Sequence, residues 1–226
     1  MVRSRSLAIA ALIVALALGV LAVPTAAANP LLAFVNGIPG TKVDVCIGNQ
    51  EVRSNLKYGK WFQRSVAPGN RTVRFRRAAP GRCTGRVLGR EDLILAADDD
   101  LTLVGTRRPD KVVLFDNTPV PVGTTNTVYV RHAADVGNVA INIGAEGFVT
   151  PNALPPEFEK GDEDIFGLGA SSLVLRFAAT RVGRLEPLAG PRQYLTIEGR
   201  RHEIILVGNK PRNARFVAFA RPTLPV

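Results

Sequence analysis

The sequence predicts an all-β protein of two tandem antiparallel β-sandwich domains, immunoglobulin-like or of a related kind. Three observations support this prediction: helical periodicity is almost absent after residue 28, short β-branched and aromatic runs recur between turns, and the same scheme occurs twice. Short strands separated by Gly- and Pro-containing turns are typical of sandwiches. Hydrophobic residues make up 46% of the chain, which is enough to build a core and excludes wholesale disorder.

The predicted organisation is a signal peptide at residues 1–28, a first domain at 29–118, a linker at 119–126 and a second domain at 127–226. In the first domain the predicted strands are 31–35, 43–47, 61–66, 72–75, 93–95, 101–104 and 112–115. In the second domain they are 128–131, 139–143, 173–177, 194–197, 204–207 and 216–219. The linker contains prolines at 119 and 121 and a glycine at 123, which favour a break between domains.

The N-terminus has the composition of a Sec-type signal peptide. Arg3 and Arg5 precede an apolar run at residues 7–23, and small residues lead to Ala28. This order of basic, apolar and small residues favours cleavage after Ala28. A retained anchor is the alternative, because the run lies at the lower limit of length for a membrane span. We therefore expect a secreted or cell-envelope protein whose mature chain has no integral membrane domain.

The two halves align with each other. Residues 43–47 match 139–143, residues 58–75 match 160–177 without a gap, and residues 101–105 match 204–208. Insertions then fall between strands, where loops tolerate them. Two units of this size are typical of two domains rather than of a solenoid.

Three segments resemble one known family: residues 56–59, 66–69 and 72–75, with the sequences LKYG, VAPG and TVRF. Together they are similar to the repeated pattern of the "domain of unknown function 4397" family, and RHAAD at 131–135 echoes its entry motif. The resemblance implies an exported bacterial all-β protein, often in tandem, and it implies no catalytic residue. This chain departs from the pattern at Asn36, where the family has His, and at Ala140, where it has Asp.

Export also determines the interpretation of Cys46 and Cys83. In an oxidising compartment two cysteines of one domain most often form a disulfide. A free catalytic thiol is the alternative, but it needs a nearby base, and His132 and His202 both fall in the other half. The sequence therefore favours a Cys46–Cys83 bridge.

The candidates for catalysis and metal binding are few. His132 beside Asp135 is the one weak site candidate, although a histidine at a strand end more often satisfies a loop carbonyl, and His202 is predicted to be solvated. The acidic triplets at 98–100 and 162–164 lack the alternating spacing of a calcium loop and are predicted to be charged turns. We expect no catalytic residue, no metal and no cofactor.

The net charge of +10 is strongly localised. Residues 60–90 contain nine basic residues and no Asp or Glu. Strand alternation places Arg74 and Arg76 opposite Val73 and Phe75, on the face that meets solvent. Arginine forks bind carboxylate, phosphate or sulfate, and the resulting anion-binding candidates are Arg71, Arg74, Arg76 and Arg77. An ordinary solvated face is the alternative.

Export excludes genomic DNA and ribosomes as partners, so we do not expect nucleic acid. The leading hypothesis is a non-enzymatic binding module for an anionic envelope polymer, a glycan or a protein, which uses the basic face of the first domain. One alternative is a structural protein that self-assembles through sheet edges. A less favoured alternative is an envelope hydrolase that uses His132 and Asp135. We also hypothesise that the basic segment 60–90 faces the acidic insertion 157–164 between the domains.

Overall fold

The computed structural model describes residues 28–107, 112–117, 126–145, 157–168, 172–184 and 186–222. These residues form fifteen strands and one short 3-10 turn, Pro211–Asn213, so the predicted all-β class is confirmed. The predicted signal peptide up to residue 27 and linker residues 119–125 lie outside the described residues. No helix among the described residues is long and apolar enough to cross a membrane.

The first sandwich contains eight strands. They are β1 (Leu31–Asn36), β2 (Val43–Ile47), β3 (Gln50–Leu56), β4 (Trp61–Ser65), β5 (Gly69–Arg77), β6 (Val87–Leu95), β7 (Asp100–Gly105) and β8 (Val112–Asp116). The inner sheet has the order β4-β1-β7-β8 and the outer sheet the order β3-β2-β5-β6. All neighbours are antiparallel except β1 and β7, which are parallel.

The second sandwich contains seven strands. They are β9 (Asn126–His132), β10 (Val139–Ala145), β11 (Glu163–Leu168), β12 (Val174–Arg181), β13 (Pro187–Leu195), β14 (Arg200–Val207) and β15 (Arg215–Pro222). Its inner sheet has the order β11-β9-β14-β15 and its outer sheet the order β10-β12-β13. The inner sheets of the two sandwiches share one topology, because β9 and β14 form the parallel pair here.

The two inner sheets pack face to face, which gives four layers in the order outer, inner, inner, outer. An apolar cluster drawn from both sandwiches fills the middle, and it includes Val35, Val104, Ile205 and Phe219. Trp61 of β4 stacks on Phe219 of β15 with ring centroids 4.0 Å apart. Because the inner sheets are covered on both faces, strands such as β9 are buried at every residue.

Three strands differ from the predicted ones. Strands β3 and β11 were not predicted, because each lies at the edge of its sheet and is largely exposed or half-buried; β3 is mostly polar, and β11 begins with two acidic residues. Strand β13 occupies Pro187–Leu195, whereas the apolar run at 194–197 had indicated a later strand. Hydrophobic alternation finds strands that bury one face, and polar edge strands give a weaker signal.

The proposed alignment of β7 with β14 is displaced by two residues. Asn36 and His132 occupy equivalent positions, since each exchanges backbone hydrogen bonds with the turn that precedes β4 or β11. Asn36 pairs with Gly105, whereas His132 pairs with Leu206 rather than with Gly208. A two-residue shift keeps every side chain on the same face, so the hydrophobic pattern does not detect it.

The predicted disulfide is confirmed. Cys46 of β2 is bonded to Cys83 of the loop between β5 and β6, with their Cα atoms 6.1 Å apart. The bridge closes a loop of 37 residues, which in the chain-entropy model stabilises the fold by about 3–4 kcal/mol.

Candidate functional site

The outer sheet of the first sandwich carries the predicted arginines. Val73 and Phe75 are fully buried in the core, while Arg74 and Arg76 lie on the opposite face and are half-buried. The alternation inferred from the sequence is therefore present in β5. The structure nevertheless separates the four anion-binding candidates into three different environments.

Arg76 of β5 contacts the disulfide loop, which we define as residues 78–86. Its Nη1 donates to the Gly85 carbonyl at 2.8 Å, and the Ala79 amide donates to the Asp44 carboxylate at 3.4 Å. Gly85 lies so close to β5 that a Cβ atom would be 1.7 Å from the Arg77 carbonyl oxygen. Arg76 thus holds this loop against the sheet, and part of its hydrogen-bonding capacity is used within the protein.

Arg71 lines an open cleft of about 590 Å³, which we name the Arg71 cleft. Its walls come from residues 47, 48, 50 and 52 of the β2–β3 hairpin and from residues 64–67 and 70–72 of β4, β5 and their connection. The guanidinium of Arg71 donates to the carbonyls of Pro68 and Asn70, each at 3.0 Å. Arg64 is exposed at the same cleft, and the lining contains no Asp or Glu.

Arg74 borders this cleft, whereas Arg77 lies apart from it. The Nη1 of Arg74 donates to the carbonyl of Gly48, a lining residue, at 2.8 Å. Arg77 is exposed at the C-terminal end of β5, where its backbone amide donates to the Arg86 carbonyl. The structure therefore brings Arg64, Arg71 and Arg74 together and leaves Arg77 outside the group.

The basic surface ends at Asp92 on the neighbouring strand β6. Asp92 forms an exposed ion pair with Arg90 at 2.9 Å and accepts a hydrogen bond from Thr72. The hydrogen bonds from Thr72 and Arg90 hold the pKa of Asp92 below its usual value. Asp92 thus offsets the charge of Arg90 and part of that of Arg74, whereas Arg64 and Arg71 lie farther along the surface at the cleft.

His132 and Asp135 have separate partners. His132 is fully buried, its Nε2 donates to the Gly137 carbonyl at 2.9 Å, and its Nδ1 accepts from the Ala134 amide at 3.3 Å. Burial lowers the pKa of His132, which favours the neutral ring that these two hydrogen bonds require. Asp135 forms an ion pair with Lys160 at 2.5 Å. Both ring nitrogens of His132 are therefore occupied by backbone groups.

The prediction that His202 is solvated was wrong. The side chain is fully buried, with the Tyr194 hydroxyl 3.1 Å from Nδ1 and the Ile197 carbonyl 3.0 Å from Nε2. The reason is its place in β14, a strand of the inner sheet with both faces covered. Burial lowers the pKa of His202 as well.

A buried polar network between the inner sheets escaped the sequence analysis. Glu203 binds Arg131 and Arg221 at 2.8 Å each, and it accepts a hydrogen bond from Thr102 of the first sandwich at 2.9 Å. Asp100 of the first sandwich pairs with Arg221 and also with Arg201. The network therefore joins the two sandwiches through charges taken out of water.

This network corrects two sequence interpretations. Asp100 is not part of a charged turn, because it begins β7 and is fully buried. The hypothesis that basic segment 60–90 faces acidic insertion 157–164 is also wrong, because β5 and β6 of that segment lie in the outer sheet and the ion pairs between the inner sheets have the opposite arrangement of charge. The first sandwich supplies a carboxylate, and the second supplies Arg201 and Arg221. Among the residues described, no group of His, Cys, Asp and Glu is arranged to hold a metal ion.

A protein-family model matches a segment that includes the whole first sandwich and the Arg71 cleft. Residues 30–142 match the model of a family described as Domain of unknown function (DUF4397). The chain belongs to the DUF4397 family. The matched segment runs from the start of β1 into β10, and thus includes all the arginines of the outer sheet.

A search of curated proteins finds no match to this DUF4397 chain. Among solved structures it is similar to the crystal structure of CBMbc, of family CBM26, from Eubacterium rectale Amy13K in complex with maltoheptaose. The identity is 8%, the TM-score is 0.28, and the comparison covers 86% of this chain and 98% of that one. A likeness at this level is too distant to indicate a ligand.

Proposed function

We propose that this DUF4397 protein is an exported, non-enzymatic binding module that holds an anionic polymer of the cell envelope in the Arg71 cleft. The observation that supports the proposal is the clustering of Arg64, Arg71 and Arg74 around a lining without a carboxylate. A cleft lined by charges of one sign concentrates ligands of the opposite sign.

Arg71 is well suited to this role because its position is fixed. Two of its donors bind backbone carbonyls, and a guanidinium has five donors, so three remain for a ligand. A side chain already held in place loses less conformational entropy when it binds. Carboxylate, phosphate and sulfate groups all fit its planar fork.

The location of the protein limits the partners to envelope or extracellular polyanions. The basic, apolar and small-residue order of residues 1–28 supports export. The Cys46–Cys83 disulfide is the kind of bond that persists in oxidising compartments. Wall polymers and acidic glycans are the polyanions present there, whereas genomic DNA is not.

The test is retention of the chain, residues 29–226, on an immobilised acidic wall polymer such as teichoic acid. The double variant Arg64→Gln/Arg71→Gln should weaken binding about tenfold, since hydrogen bonds to charged groups are among the stronger ones. Increasing salt should reduce the retention of the unsubstituted protein.

The matched control is Arg82→Gln/Arg86→Gln, which removes two exposed charges from the disulfide loop. We expect this variant to bind like the unsubstituted protein. Equal weakening in both variants would show that net charge alone causes retention, and the proposal would then be wrong.

A further inference from the structure

A second cleft lies where the two sandwiches meet, and we name it the junction cleft. It has a volume of about 290 Å³. The first sandwich contributes Gly59, Lys60 and Trp61, and the second contributes residues 192–194 of β13, residues 215–218 of β15, and Phe177. The junction cleft is thus formed only when the inner sheets are packed together.

Three cations line the junction cleft, and no Asp or Glu does. They are Lys60, Arg192 and Arg215. Within the described part of the chain, none of the three forms a hydrogen bond or an ion pair through its side chain. Like charges that converge without a counter-charge repel one another, and an anion in the cleft would relieve that repulsion.

The position of Arg215 is set by packing. Its guanidinium lies 5.1 Å from the centre of the Tyr58 ring. Gly59 makes room for it, because a Cβ atom there would be 2.7 Å from the Arg215 Cζ. The Tyr58 hydroxyl donates to the Asn213 carbonyl, and burial raises the pKa of Tyr58 to about 12, which keeps that hydroxyl protonated.

Two half-buried aromatic residues complete the lining. Trp61 is stacked on Phe219, and Tyr194 is held by its hydroxyl contact with His202. Rigid aromatic rings offer apolar surface to a ligand, while a few polar groups fix its orientation. A cleft that combines such rings with cations suits a ligand that has both an apolar ring face and a carboxylate.

We propose that the junction cleft binds one uronate residue of an acidic glycan. The carboxylate would be recognised by the three cations, and the apolar face of the sugar ring would pack on Trp61 and Tyr194. The volume suits one sugar ring rather than a long segment of polymer. This site is separate from the Arg71 cleft, because Trp61 and Ser65 mark opposite ends of β4.

Trp61 is the single tryptophan of the chain, so its fluorescence reports on this cleft. Titration of residues 29–226 with trigalacturonic acid should change that fluorescence and saturate, whereas neutral maltotriose should have no effect. Lys60→Gln/Arg192→Gln should weaken trigalacturonate binding at least tenfold. Arg64→Gln/Arg71→Gln, the variant for the other cleft, should leave the affinity within twofold of the original value.

Three outcomes would overturn the proposal. The first is that millimolar trigalacturonate causes no saturable change in Trp61 fluorescence. The second is that both double variants weaken trigalacturonate binding equally. The third is that inorganic phosphate competes for the cleft as strongly as the sugar acid does. A thermal melt of each variant shows whether it is folded. If Lys60→Gln/Arg192→Gln does not fold, the single variant Arg192→Gln replaces it. The Arg71 cleft is tested by a different experiment, retention on wall polymer. A negative result for one cleft therefore leaves the proposal for the other cleft unchanged.

Discussion

The arginines of the outer sheet and those between the inner sheets have the same chemistry and opposite roles. Those of the outer sheet are exposed or half-buried, and several donate to carbonyls of nearby turns. Arg131, Arg201 and Arg221 are almost completely buried and are paired with carboxylates. The first group lies on the solvent-facing side of the outer sheet, whereas the second joins the two sandwiches.

The buried network is close to electrically balanced. It contains three arginines and three carboxylates: Arg131, Arg201 and Arg221 with Asp100, Glu203 and Glu163. Glu163 is partly exposed and lies 2.9 Å from Arg131. Buried ion pairs add little net stability compared with apolar packing, but loss of one partner leaves an unpaired buried charge. We infer that the network selects one arrangement of the inner sheets, which in turn determines the shape of the junction cleft.

The largest predicted effect comes from the Asp100→Asn substitution. It leaves Arg201 and Arg221 buried beside a neutral amide, and loss of one member of a buried pair destabilises by about 3–5 kcal/mol. Chemical denaturation of the chain, residues 29–226, measures the free energy of unfolding. The matched control is Asp92→Asn, which removes an exposed ion pair of the outer sheet and should change stability little.

If Asp100→Asn and Asp92→Asn have equal effects, the distinction between the two groups of arginines fails. An Asp100→Asn variant that also loses Trp61 fluorescence changes with trigalacturonate would connect the network to the junction cleft. The same variant should keep its retention on wall polymer, because the Arg71 cleft lies wholly within the first sandwich.

The exposed arginines were predictable from the sequence, and the buried ones were not. A run of basic residues without acids is visible in one segment, and alternation around Val73 and Phe75 gives its face. Arg201 follows Arg200 in β14 and Arg221 shares β15 with Arg215, so their strands do not distinguish them from exposed arginines. Their partner Asp100 is 101 residues from Arg201 and 121 residues from Arg221 in the chain. Such pairing depends on how two sheets pack, which no local pattern contains.

One signal of that packing was nevertheless present. The apolar run at 204–207 does not alternate, and a strand with both faces covered has this pattern. The same reasoning applies to 31–35 of β1. Both strands lie in inner sheets, so continuous apolar runs indicated which sheets would meet, although not which charges would accompany them.

A smaller effect separates two neighbouring arginines of β5. Arg76→Gln should destabilise by about 1–2 kcal/mol, because it removes the charged hydrogen bond to Gly85 that holds the disulfide loop. Arg77→Gln, the matched control, alters an exposed side chain and should change stability by less than about 0.5 kcal/mol. Hydrogen exchange across residues 78–86 should be faster only in the Arg76 variant. Equal exchange in both would contradict the structural role of Arg76.

The smallest predicted effect is a pH dependence of the free energy of unfolding. It arises from two histidines of the inner sheet of the second sandwich and not from the basic outer sheet of the first. Burial lowers the pKa of both His132 and His202 in the folded state below the value of about 6.5 expected when unfolded. The unfolded chain then binds more protons, so this contribution to stability is complete above about pH 6.5 and is lost as the pH falls below it. Denaturation midpoints at pH 7.5 and pH 5 measure the difference. The loss should be reduced in a His202→Gln variant, whose side chain has no charge to gain, and an unchanged pH profile in that variant would exclude His202 as its source.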